Sequence, residues 1–227
     1  MKNLKTRIVA AVYAVLFILL MITGTTKVMA RENLPMVTVI KAQAPITKIV
    51  AKGNVRVYIA KGEEQSIKVY DNYYGKNALT QIEDGVLRIT SFEEKALKVY
   101  VTVKDLQAVE ASDYAYVYAM DKFRAINFEV TLKNQATAVL NVDAFSINTH
   151  ISDTSRLQLK GSAEYGIVLA TDFANIDITK FEANHDEIKL YHDASITLNS
   201  SQNSAKMLSA KSDDMSSNIK PIRLSIQ

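Results

Sequence analysis

The second half of this chain repeats one short pattern. The segments SDYAYVYAM, KNQATAVLNV, SDTSRLQLKG, TDFANIDITK, HDASITLNS and SDDMSSN share one form. A small or polar residue is followed by Asp or Asn, then by a small-residue link into an alternating apolar and polar run. The Asp and Asn positions are Asp113, Asn134, Asp153, Asp172, Asp193 and Asp213, spaced by 21, 19, 19, 21 and 20 residues. A period near twenty residues marks units that stack, because no single unit buries its own apolar face.

Each period holds a second alternating run: INFEVTL, FSINTHI, YGIVLA and DEIKLY. Period two is the strand signal. Parity assigns Ile126, Phe128, Val130 and Leu132 to one face and Asn127, Glu129 and Thr131 to the other. Ala174, Ile176 and Ile178 likewise oppose Asn175, Asp177 and Thr179. The pattern predicts an all-β protein whose repeats form a β-solenoid, like a single-stranded β-helix, with rungs ~4.8 Å apart. Asp and Asn suit the corners because they accept bonds from backbone N–H groups two residues on and tolerate unusual φ. Small residues after them (Ala115, Ser155, Ala174, Ala194) let the chain turn inward.

Upstream, residues 41–105 read as an N-terminal strand and hairpin region ahead of the repeat coils of 106–227. Val55, Val57 and Ile59 alternate with Arg56 and Tyr58, and Val99, Val101 and Val103 share a face. Asp84-Gly85 between Ile82 and the pair Leu87/Ile89 is a tight-turn signal. No stretch after residue 30 sustains an apolar period of 3.6.

The first thirty residues differ in kind. Lys2, Lys5 and Arg7 precede the apolar run Ile8 to Thr23, and Val28-Met29-Ala30 closes the segment with small residues where signal peptidase reads. That order predicts an export signal helix over 1–30, with an uncleaved anchor as the alternative. Residues 31–40 then form a polar lead. The signal holds four cations and no acid, so removing it leaves 23 Lys and Arg against 24 Asp and Glu. The formal +3 becomes −1, which removes the electrostatic footprint of a nucleic-acid binder. The chain has no Cys. It lacks disulfides, and it lacks the thiol needed for lipid attachment at a cleavage point.

These residues resemble a known family. A strand pair like GNVRVYIAKGEEQSIKVY, a DGVLRIT hairpin and the strand KVYVTVKDLQAVEAS precede the repeats. The order is similar to the "putative auto-transporter adhesin, head GIN domain" family, across about residues 40–200. Its most specific part is Gly53, Gly62, Asp84-Gly85-Val86-Leu87 and Val101 through Leu106. The resemblance implies a β-helical, non-enzymatic domain with no catalytic residues to carry over. The chain departs from the family in its corners, which keep Asp or Asn but lose the usual glycines.

Three constellations invite chemical readings. His150, Asp153 and Ser155 carry the residue types of a hydrolytic triad, but no strained nucleophile turn accompanies them. Parity sends His150 outward, and Asp153 occupies the shared corner position. His185, Asp186, Glu187, His192 and Asp193 gather metal-ligating types in nine residues. In an extended chain, however, the two histidines sit on opposite faces and ~23 Å apart. The column of corner Asp residues suggests calcium, but the glycine repeat that builds a calcium roll is absent. No catalytic residue, metal or cofactor is therefore expected.

Tyr114, Tyr116 and Tyr118 alternate with Ala115, Val117 and Ala119. Outward tyrosines would make a ladder able to stack on sugar rings or on a partner strand, set against plain cross-strand packing. Tyr70, Tyr73 and Tyr74 form a second cluster. The expected function is an exported, non-enzymatic envelope or surface domain, adhesin-like, whose partner is a surface protein or glycan. It would meet no nucleic acid, and a membrane only through an uncleaved N-terminus. Two alternatives stand beside it: a periplasmic scaffold, and a carbohydrate-active enzyme using Asp153 and Asp172.

Overall fold

The computed structural model describes residues 37–42, 44–70, 78–198 and 224–226. The expected signal helix, Tyr73, Tyr74 and Asp213 lie outside them. Within the expected polar lead, the β-branched run Val37–Ile40 forms a strand, β1.

The described residues are all β, with no helix among them. Among the described residues, fifteen strands form one continuous sheet. Alternation decides what faces inward. Val55, Val57 and Ile59 are buried, as are Val99, Val101 and Val103 and Ala174, Ile176 and Ile178. Each such large aliphatic contributes about 1.5–3 kcal/mol on burial. The outward partners on the same strands remain at least partly exposed.

Pairing builds two flanks. On one, β2 (Lys48–Gly53) lies parallel between β6 (Val86–Ser91) and β8 (Ala108–Ser112). β10 (Phe123–Leu132) follows, parallel to β8. On the other, β3 (Val55–Lys61) lies parallel between β7 (Leu97–Val103) and β9 (Tyr116–Ala119). The segments 41–105 and 106–227 thus share the same ladders. Rung 86–103 sits outside rung 48–61, so stacking order departs from chain order.

The long strands β11 (Thr137–Ile151), β12 (Arg156–Ala170) and β13 (Asn175–Leu190) run through both flanks in parallel register. β11 pairs with β9 through its first residues and with β10 through the rest. Between the flanks the ladder skips one position per strand: Ile126 and Phe145 have no partner in the register. Ile126 is 76% exposed there, which corrects its assignment to the inward face. The alternation breaks at this bend, so parity carried backward from Phe128 fails.

Antiparallel strands occupy one end of the stack. β5 (Ala78–Glu83) pairs with β6, and β4 (Ser66–Tyr70) pairs with β7 and with β1. The β5–β6 connection is the expected hairpin. Asp84 and Gly85 both take positive φ, at 48° and 76°, which suits the right-handed twist of the paired strands. At the other end, β14 (Ser195–Leu198) pairs with β13 and with β15 (Leu224–Ile226).

Candidate functional site

The corners between strands fix where the neighbouring side chains lie. Asp113, Asn134, Asp153 and Asp172 all have φ between 60° and 63°. Asp and Asn enter this left-handed region more readily than other non-glycine residues. Gly53 takes the same place one rung earlier, with φ 82°. A Cβ on Gly53 would lie 2.0 Å from the carbonyl oxygen of Ser91. At the fifth corner the left-handed residue is His192, φ 58°, and not Asp193. Each turn closes by an N–H to C=O bond three residues back, as in Ala136 to Lys133 and Ala194 to Tyr191. The closing residue points inward and must be small: Ala115, Ala136, Ser155 and Ala174 are buried. Ala194 therefore fixes the left-handed position two residues before it.

The corner carboxylates bond mainly between rungs, not to the N–H two residues on. Asp153 Oδ2 accepts from the backbone N–H of Asn134 at 2.8 Å and from Ser152 Oγ at 3.0 Å. Asp113 Oδ1 accepts from Asn134 Nδ2 at 2.6 Å. Asp172 accepts from Thr171 Oγ1 at 2.8 Å, and His192 Nδ1 lies 3.4 Å from its other oxygen.

The triad types are not assembled. Ser155 is buried, and its hydroxyl donates to the Ser152 carbonyl at 2.5 Å, while His150 points out into solvent. The metal-ligating types are divided as well. His185 stacks on Tyr165 with ring centroids 5.1 Å apart, and its Nε2 lies 3.6 Å from Glu164 Oε1. His192 belongs to the corner column. Asp186 faces Gly166 in register, and burial holds its carboxyl above the ordinary range.

The tyrosines divide too. Ala115, Val117 and Ala119 face inward as parity requires. Tyr118 joins a ladder that sequence reasoning misses. Tyr58 stacks on Tyr100 at 4.9 Å, Tyr118 lies 6.4 Å from Tyr58, and Tyr70 meets Tyr100 edge-on at 5.2 Å. Four rings thus cross the neighbouring strands β4, β7, β3 and β9. The signal is present in the outward parity of Tyr58 and Tyr100, but their adjacency depends on the strand order. Tyr116 lies in the next row, opposite Arg56. Burial, then Tyr58 and Tyr118, raise its hydroxyl pKa, with Arg56 opposing.

Tyr114, 64% exposed, stands apart at the corner. It lines an open groove of about 720 Å³ with Lys52, Gly53, Asn54, Phe92, Glu93 and Asp113. A second aromatic column follows the bend, where Phe145 meets Tyr165 at 5.4 Å.

The architecture is that of a stacked all-β domain carrying exposed aromatic columns. A model of the family described as "Putative auto-transporter adhesin, head GIN domain" matches residues 45–216, and the chain belongs to that family. Solved structures share the fold. A "putative adhesin" from Parabacteroides merdae superposes with a TM-score of 0.63 at 13% identity, over 74% of this chain and 79% of that one. A "putative adhesin" from Bacteroides fragilis gives 0.62 at 15%, over 72% and 79%. A "Putative lipid binding protein" from Parabacteroides distasonis gives 0.58 at 11%, over 74% and 83%. No curated protein matches the chain.

Proposed function

We propose that this chain is an exported, non-enzymatic binding domain of the bacterial cell envelope or surface, folded as a β-solenoid of coils near twenty residues. Membership of an adhesin-described family supports the class. The in-register parallel pairing of β10 through β14 at offsets of 19 to 20 residues supports the solenoid.

One observation carries the binding role: the tyrosine ladder on an open sheet face. Tyr100 and Tyr118 are 38% and 37% exposed. Aromatic rings in register on a rigid sheet offer a broad apolar platform with polar hydroxyl tips, suited to sugar rings or to a partner strand. By contrast, Asp153 and Asp172, the carboxylates an enzyme would use, are engaged in corner bonds.

The test is a glycan array together with capture from an envelope extract, using the full-length chain and its Tyr100→Ala/Tyr118→Ala variant. Binding should occur and should weaken in the variant. A blank in both assays would leave the scaffold. Release of reducing sugar from any bound glycan, abolished by Asp153→Asn or Asp172→Asn, would mean an enzyme.

A further inference from the structure

The face that carries the tyrosine ladder is also electrically one-sided. Its outward positions run in two rows across the strands. The first row reads Val37, Tyr70, Lys98, Arg56, Tyr116, Thr137 and Arg156. The second reads Val39, Lys68, Tyr100, Tyr58, Tyr118, Val139 and Gln158. Four of these fourteen positions are cations and five are tyrosines. Among the described residues neither row meets a carboxylate before Asp177, which Gln158 Nε2 and Thr179 Oγ1 already engage at 2.9 and 2.7 Å.

Arg56, Lys68, Lys98 and Arg156 are exposed, and none forms an ion pair with a described residue. Lys98 and Arg56 stand directly opposite each other in the register. Like charges in that relation destabilise a sheet. The other flank is different: Lys48 Nζ meets Glu110 Oε2 at 3.0 Å across β2 and β8. The formal charge of residues 31–227 is −1, so the cations on this face are a local concentration and not a general surplus.

We infer that the tyrosine face binds an acidic polysaccharide, one whose sugar rings carry carboxylates, and this rests on the surface-binding reading above. Tyrosine rings take the C–H faces of the sugars. The guanidinium and ammonium groups take the carboxylates, Arg in bidentate fashion. The neighbouring strands β4, β7 and β3 each carry both features at a spacing of ~4.8 Å, so the face presents a track and not a single pocket. A polymer with one charge per ring can engage several rungs at once, and bound carboxylates would relieve the repulsion between Lys98 and Arg56.

The experiment uses the full-length chain in neutral detergent and four probes: polygalacturonate, its methyl-esterified form, neutral dextran and phosphatidylglycerol vesicles. Polygalacturonate should bind, and its affinity should fall on the order of tenfold from low to physiological salt. The esterified polymer should bind at least about tenfold more weakly, because it offers no charge to the cations. Neutral dextran should bind no better than the ester. Arg56→Gln/Lys98→Gln should lose polygalacturonate binding while keeping or raising the thermal midpoint, since the repulsive pair is gone. Equal binding of acid and ester, tighter binding of vesicles through the same residues, or no binding of polygalacturonate would each overturn the inference. If envelope capture still depends on Tyr100 and Tyr118 in that event, the surface-binding reading survives without it.

Discussion

Nδ2 of Asn134 donates to Oδ1 of Asp113 at 2.6 Å, joining two left-handed corners on successive rungs. The side chain thus does two things: it tolerates φ 62° and it ties neighbouring rungs together. Asn134→Ala loses both and should lower stability by about 1–2 kcal/mol. Asn134→Gly frees the backbone and loses only the exposed bond, so it should cost about half as much. Urea unfolding midpoints of the two variants check the order.

Gly53 allows no such substitution. Its φ is positive, and a Cβ there would stand 2.0 Å from the Ser91 carbonyl oxygen, which leaves no room for a side chain. The close approach is used, because Asn54 donates its N–H to that same Ser91 oxygen at 2.6 Å. Gly53→Ala should destabilise by about 3 kcal/mol or more, read as a lowered denaturation midpoint or loss of folded yield.

Ser155 separates a buried turn residue from a nucleophile. Three other corners carry a buried Ala at this place. Ser155→Ala should therefore keep the fold, at a cost of about 1 kcal/mol for the hydroxyl bonds. Ser155→Leu should cost about 3 kcal/mol through overpacking. Thermal melts of the pair are the measurement; a larger loss for Ala than for Leu would contradict the turn role.

Two aspartates should respond to acid with opposite signs. For Asp143, burial alone would raise the carboxyl pKa. Hydrogen bonds from Lys122 and Ser162, with the charges of Lys122 and Arg124, outweigh it and leave the pKa lowered. Its stabilising contribution is present above the ordinary Asp value, about 3.9, and is lost as pH falls through the lowered one. Asp186 is raised by burial. Its ionised form costs stability above the raised value, and that cost vanishes below the ordinary one. Asp143→Asn should lower stability at neutral pH and flatten the acid limb. Asp186→Asn should raise stability at neutral pH, with the gain disappearing in acid. Urea titrations from pH 7 down to about pH 3 read both.

Much of the fold is legible locally. The parity of Val55, Val57 and Ile59 marks the buried face, and Asp84-Gly85 marks the hairpin. Four of the six expected corners sit at their left-handed residue. The fifth is displaced by one because Asp193 matches only in residue type. A small residue two positions on is the stronger physical constraint, and it selects His192. A register shift between Gln158 and Lys160 on β12 opposite β13 changes the spacing at that rung. The tyrosine ladder is only half legible. Its members lie on four strands from separate parts of the chain, and no local pattern states that β3 sits between β7 and β9.

That strand order also has a consequence for how the molecule is made. Rung 48–61 is completed only when 86–103 covers one side and 108–119 covers the other. Lys48 meets Ala108 across sixty residues of chain, whereas each later strand meets its neighbour after about twenty. Closing the long loops costs more chain entropy and is slower than closing the short ones. Rung 48–61 thus waits for two later segments, while the strands from β10 onward pair through short connections of their own. Shortening the chain from its C-terminal side should remove the later strands one at a time, while any cut before residue 119 leaves one side of rung 48–61 uncovered.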